Sequence, residues 1–128
     1  MRCIMGYIVN VDDKGVIHYS ENGEEFFSVA ETINEQNDRI ELLLSGSFRS
    51  EVVSSVQDEL LALASLNRDM LIDMQNLTYI SNAAQEGLLL TQQHMDKTRK
   101  GSFVLINLPE KIYEDFDRIG LTQLLDIE

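Results

Sequence analysis

Met70-Leu71-Ile72-Asp73-Met74-Gln75-Asn76-Leu77-Thr78-Tyr79-Ile80-Ser81-Asn82-Ala83-Ala84 is the stretch that decides how this chain is read. Met70 to Met74 is a short apolar run with one carboxylate, the pattern of a strand buried inside a sheet. Gln75 and Asn76 interrupt it, and Leu77-Thr78-Tyr79-Ile80 resumes as an extended piece. Ser81 and Asn82 are both residue types that cap helix N-termini. From Asn82 the period changes: Ala84, Leu88, Thr91 and Met95 share one face of a helix running to about Arg99. A strand passing directly into a helix is half of a parallel crossover.

The pattern continues on both sides. Upstream, Ser50 can cap a helix from Glu51 to about Leu66, with Val53, Val56, Leu60 and Leu63 on its inner face. Downstream, Lys97, Arg99 and Lys100 sit in a last helical turn, where cations favour the negative end of the macrodipole. Gly101 ends that helix, Ser102 to Leu108 reads as a strand, and Pro109 opens a further helix with Ile112, Phe116 and Ile119 facing inward. Gly120 stops it, and Leu121 to Ile127 is a last apolar piece. The first part reads differently. Tyr7 to Val11 and Val16 to Tyr19 flank the turn residues Asp12-Asp13-Lys14-Gly15, a β-hairpin pattern. Asn22-Gly23 marks a second turn, Phe26 to Ile33 a strand, Asn34 to Asp38 a turn, and Ile40 to Leu44 a strand ending at Gly46. Leu42-Leu43-Leu44 has no alternation, so both faces of that strand are expected to be covered. Hairpins followed by strands alternating with single helices predict an α/β fold. It is a mixed sheet with right-handed crossovers and three to four helices packed mainly on one face.

Composition bounds the function. The chain has 128 residues, the size of one domain, with 44% hydrophobic and 25% charged residues, which is ordinary for a globular protein. Its net charge of -12 repels nucleic-acid phosphates and anionic membrane surfaces and favours a basic or neutral protein partner. Cys3 is the single cysteine, so it offers neither an internal disulfide nor a multi-cysteine metal site, and it reads as a small apolar residue in a strand. No apolar run approaches the ~18 residues of a membrane span. The opening residues turn polar at Asn10 and Asp12, too soon for a secretory signal, so a cytoplasmic protein is expected.

The catalytic inventory is thin. His18 and His94 are the two histidines, and neither has a Cys or His at metal-ligand spacing. There is no G-x-S-x-G elbow, no G-x-G-x-x-G loop and no Walker lysine. Neither catalysis nor a cofactor or metal is expected. The helix start at Ser81-Asn82-Ala83-Ala84 does attract attention, because free N–H groups at a helix N-terminus attract anions. A nucleotide- or small-molecule-binding regulator is therefore one reading. Simple capping is the other, either by Asn82 with Gln85 or by Ser81.

The segment resembles the STAS family, shared by anti-sigma-factor antagonists and sulfate transporters. That family carries leucine-x-glycine-x-leucine after an early hairpin, here Leu44-Ser45-Gly46-Ser47-Phe48. Its central strand runs like L-V-L-D-L-S-x-V-x-F-I-D-S-S-G, matching Met70 to Ala84. Gly101 before the Phe103 strand, Pro109 opening a helix, and Ile119-Gly120-Leu121 with Leu124, Leu125 and Ile127 also fall in family positions. The resemblance covers Phe26 to Glu128. It implies a STAS-like domain over residues 26–128, with residues 1–25 forming an N-terminal hairpin extension of the sheet that could also pair with a second copy. The departures are specific. Ser81 stands where the family has aspartate, Ala83 where the phosphorylated serine stands, Ala84 where the glycine stands, and Arg49 replaces an aspartate. Alanine has no oxygen to phosphorylate, so the family's switch cannot run through position 83, unless a register slip makes Ser81 the acceptor. The resemblance implies a non-catalytic regulatory interaction domain. Its docking face would comprise Gly46, Ser47, Arg49 and Ser50, the Glu51–Leu66 helix with Ser54, and the helix start through Gln85. Its partner would be an anti-sigma-factor kinase or related regulator, or alternatively the ATPase of an ABC-type lipid or solute transport system.

Overall fold

Among the described residues seven strands form one sheet, ordered as they occur in the chain: β1 (Arg2–Ile4), β2 (Tyr7–Val11), β3 (Ile17–Glu21), β4 (Glu24–Asn34), β5 (Arg39–Phe48), β6 (Asp69–Ile80) and β7 (Phe103–Ile106). The computed structural model describes residues 2–4, 6–98 and 101–128, the side chains of 2–4 excepted. The pairs from β1 to β5 are antiparallel, and β5–β6 and β6–β7 are parallel. The turn between β3 and β4 is Asn22-Gly23, with φ of 53° and 81°, the left-handed pair a two-residue hairpin requires. Three helices follow: α1 (Val53–Ala64), entered through a 3₁₀ turn at Ser50–Val52, α2 (Asn82–Thr98) and α3 (Glu110–Arg118). Right-handed crossovers that step in one direction along a sheet place successive helices on the same face.

The core lies between that face and the helices. An aromatic row crosses the inner face, with Tyr7–Tyr19, Tyr19–Phe27 and Phe27–Phe48 centroids 5.9, 5.7 and 4.8 Å apart. Val56, Leu60 and Leu63 from α1, Ala84, Leu88, Thr91 and Met95 from α2, and Ile112 and Phe116 from α3 are buried, as the helical spacing predicts. Gln92 of α2 fastens the C-terminal tail: its amide donates to the Leu124 carbonyl and its Oε1 accepts the Asp126 N–H at 2.7 Å. The tail in turn exchanges two backbone hydrogen bonds with Leu105, so it lies along the outer edge of β7.

Five expectations are corrected or bounded. β6 does not end at Met74 but continues to Ile80. Its inward residues are Met70, Ile72, Met74, Leu77 and Ile80, and the spacing slips from two to three where the β5–β6 register shifts, which disguises one long strand as two pieces. The Leu42-Leu43-Leu44 strand is covered on one side only: Leu42 and Leu44 are buried, whereas Leu43 is partly exposed, because the three helices share the opposite face. Ile119 does not face the core; α3 ends one residue earlier, and the side chain is 52% exposed. Lys97 occupies the last turn of α2, while Arg99 and Lys100 lie outside the described residues. Cys3 lies in β1, and its burial is outside the described side chains.

Candidate functional site

The passage from β6 into α2 is built by Ser81. Its N–H donates to the Phe48 carbonyl at 3.0 Å, which ties the helix start to the end of β5. Its Oγ accepts the N–H of Ala84 at 3.1 Å, and its own carbonyl accepts the N–H of Gln85 at 3.0 Å. Ser81 is therefore the N-cap, and of the two capping readings this is the one realised. Ser81 is 4% exposed and its hydroxyl is already engaged, a poor position for a phosphoacceptor. Asn82 and Ala83 follow as the first exposed residues of α2, and their N–H groups have no intrahelical acceptor. Ala84 is fully buried and packs in the core.

A cavity of ≈ 350 Å³ opens beside this turn, lined by Ser50, Tyr79, Asn82, Ala83, Gln85 and Arg118, among others. Arg118 pairs with Asp115 at 3.2 Å, and both belong to α3. Gln85 is 2% exposed, and its Oε1 has no hydrogen-bond partner among the described residues. A second, larger hollow of ≈ 620 Å³ runs between α1 and α2, with Val53, Leu61 and Leu90 along it and Asp58, Glu86 and His94 at its sides. Ser54 lines this groove, and Ser50 and Ala83 line both hollows. The two helices approach closely because Gly87 faces α1: a Cβ there would lie 2.6 Å from Gln57 Oε1. Gln57 Nε2 donates to Thr91 Oγ1 at 2.9 Å, and Thr91 donates to the Gly87 carbonyl at 3.0 Å. Tyr79, Leu90 and Ile119 are large apolar side chains left 53%, 58% and 52% exposed around these openings.

The remaining residues singled out from sequence lie elsewhere. Gly46 is a backbone device. Its φ is +96°, and a Cβ would stand 2.2 Å from the Phe26 carbonyl oxygen, so no other residue fits. Gly46 and Ser47 line neither hollow. Arg49 turns the other way, with its guanidinium 4.1 Å above the Phe26 ring and 3.7 Å from Glu21. Reading the sequence missed Tyr79, Arg118, Ile119 and Leu90. Only Leu90 carried a signal, as an apolar residue off the inner stripe of its helix. Tyr79 stands on β6 just before Ser81, and Arg118 and Ile119 are brought in by the docking of α3.

Two titratable clusters lie away from this site. Glu31 of β4 is pushed up to about 7, by burial first and then by the neighbouring carboxyl of Glu59 on α1. His18 is held between Asp12, at 2.8 Å, and Glu25, and the Asp12 hydrogen bond raises its pKa. No group of three or more His, Cys, Asp or Glu side chains among the described residues is placed to hold a metal. No helix among them is long and apolar enough to cross a membrane.

The family model described as "Mlab, STAS domain" matches residues 31–126. The chain belongs to the STAS family. The backbone agrees with solved STAS structures. An anti-sigma factor antagonist from Mycobacterium paratuberculosis superposes with a TM-score of 0.66 at 11% identity, covering 77% of this chain and 84% of that one. The Bacillus cell fate determinant SpoIIAA in its phosphorylated form gives 0.60 at 11% identity, covering 78% and 90%. An anti-sigma-factor antagonist (STAS) domain protein from Planctomyces limnophilus gives 0.59 at 17% identity, covering 77% and 87%. No curated protein matches the chain in sequence. The STAS match begins inside β4, so β1 to β3 precede it.

Proposed function

We propose that this STAS domain is a non-catalytic regulatory module that acts by docking on a protein partner, in the manner of an anti-sigma-factor antagonist without a phosphorylatable serine. The observation that carries the reading is the exposed Ala83 at the point shared by the two hollows, ringed by the exposed apolar side chains of Tyr79, Leu90 and Ile119. Exposed apolar groups gathered around a concave surface are characteristic of interaction sites. Occupancy of the partner by this face would displace another protein held there. In this reading residues 1–25 are an extension of the sheet and 26–128 are the regulatory domain, and Ser50, Ser54 and Asn82 contribute polar contacts at the rim, with Gln85 in the wall of the hollow beneath them.

The test is affinity capture with the wild-type protein and a Leu90→Lys variant, read by mass spectrometry. An anti-sigma-factor kinase retained by the wild type and lost by the variant supports the reading, and a transporter ATPase with the same pattern assigns the other partner class. Equal retention by both proteins removes the docking face from consideration. With the retained kinase and ATP, the wild type should take up no phosphate, whereas Ala83→Ser should. Stoichiometric phosphate on Ser81 would overturn the loss of the switch. Calorimetry with ATP and GTP at millimolar concentration checks the nucleotide-binding alternative, for which no heat is expected.

A further inference from the structure

The face of the sheet opposite the helices carries its own pattern. The pairing register places Thr32, Glu41, Leu71 and Val104 side by side across β4 to β7, and Ala30, Leu43, Asp73 and Ile106 in the next row. Leu43, Leu71, Val104 and Ile106 are partly exposed and are not packed against the core. Around them lies a shallow hollow of ≈ 240 Å³, lined by Ala30, Glu41, Leu43, Leu71, Asp73 and Ile106. Three of these four strands run parallel, and parallel strands are ordinarily covered by helices on both faces. Here one layer is missing over an apolar patch that runs from Ala30 of β4 to Ile106 of β7, three strand gaps or about 14 Å. About ten residues of helix, at a rise of about 1.5 Å each, would cover it.

The charges identify the covering element. Glu41 is satisfied by Arg39 at 2.9 Å. Asp73 is different. Its Oδ1 accepts the Gln75 N–H at 3.0 Å and the Asn107 amide at 3.2 Å, which holds the carboxylate in place, but no cation among the described residues pairs with it. Covering this carboxylate with an apolar surface alone would strip its water without compensation. A second copy of the chain would bring another net charge of -12 and the same carboxylates, so it is a poor match. We propose that this outer face is a separate docking surface for an amphipathic helix of a partner protein. Its apolar stripe would cover Leu43, Leu71, Val104 and Ile106, and a lysine or arginine beside the stripe would pair with Asp73.

The experiment titrates isotope-labelled full-length protein with a synthetic helical peptide bearing a leucine stripe flanked by lysines, followed by amide chemical shifts. Two controls are the same residues scrambled and a version with glutamate for lysine. Saturable binding of the lysine peptide is expected, with shifts at Leu43, Leu71, Asp73 and Ile106. Affinity should fall about tenfold in Asp73→Lys. Because Asp73 also anchors Gln75 and Asn107, Leu71→Ser is measured independently and should weaken binding at an unchanged melting temperature. Shifts confined to α1 and α2, equal binding of the scrambled peptide, or an unaltered affinity in both variants would each overturn the proposal. So would self-association in sedimentation that Asp73→Lys abolishes.

Discussion

The antiparallel part of the sheet, β1 to β4, and the parallel part, β5 to β7, solve the same problem in opposite ways. In β2 to β4 the inner face carries the aromatic row and the outer face is mostly polar, with Asn10, His18, Ser20, Ser28 and Thr32 beside Ile8 and Ala30. In the parallel part both faces are apolar although helices cover only one. A hairpin strand fits the usual one-sided arrangement, whereas a crossover strand with apolar groups on both faces leaves surface uncovered. The STAS match takes in the parallel part and the end of β4 and leaves β1 to β3 outside it.

The strongest way to break this contrast is to empty the core on each side. Phe116→Ala in α3 and Tyr7→Ala in β2 remove fully buried or nearly buried rings, and each is expected to cost about 3–5 kcal/mol in urea unfolding. Both variants should unfold in a single transition, because the aromatic row joins the two parts. A separate early transition in Tyr7→Ala would show the hairpin to be an independent unit. Next in size, Gly46→Ala forces a side chain into the left-handed region and against the Phe26 carbonyl, for a cost of about 3 kcal/mol by the same measurement. A loss below 1 kcal/mol would mean that the β4–β5 contact relaxes easily. Ser81→Ala removes the cap of α2 and should cost about 1 kcal/mol, with the loss concentrated in hydrogen exchange of the first turn.

The smallest effects are linked to protons, and both weaken the fold as pH rises. The Glu31 carboxyl, raised to about 7 by burial and Glu59, stays protonated in the folded chain after it would ionise in the unfolded one. Stability therefore declines between about pH 4.5 and 7, and Glu31→Gln should remove that decline. For His18 the raised pKa means that the clasp to Asp12 and Glu25 contributes fully below the unfolded value of about 6.5 and is lost above the folded one. Urea midpoints at pH 6 and pH 8 measure it. His18→Gln should flatten the difference, and an unchanged difference in both variants would assign the pH dependence elsewhere.

How much was legible follows the same division. The hairpin turns at Asp12–Gly15 and Asn22-Gly23 and the inner stripes of α1 and α2 were readable because local geometry and period fix them. The length of β6 was not, since a register slip breaks the alternation between Met74 and Leu77. The outward turn of Ile119 was hidden for a related reason: helical spacing does not say where a helix stops. At the candidate site the turn of Ser81 to Ala84 could be placed from sequence, while Arg118 could not, because it meets that turn only through the packing of α3, and the outward direction of Tyr79 was hidden by the register slip in β6. Arg49 is expected from sequence to be a partner contact, and its guanidinium lies over Phe26 and 3.7 Å from Glu21, a placement that only the folded chain reveals.

The tail held by Gln92 has a bearing on assembly. By lying along β7 it closes one rim of the sheet, and among the described strands β1 forms the other. A rim occupied by the chain's own tail is not a template for a neighbouring strand, so pairing of another chain through β7 is blocked.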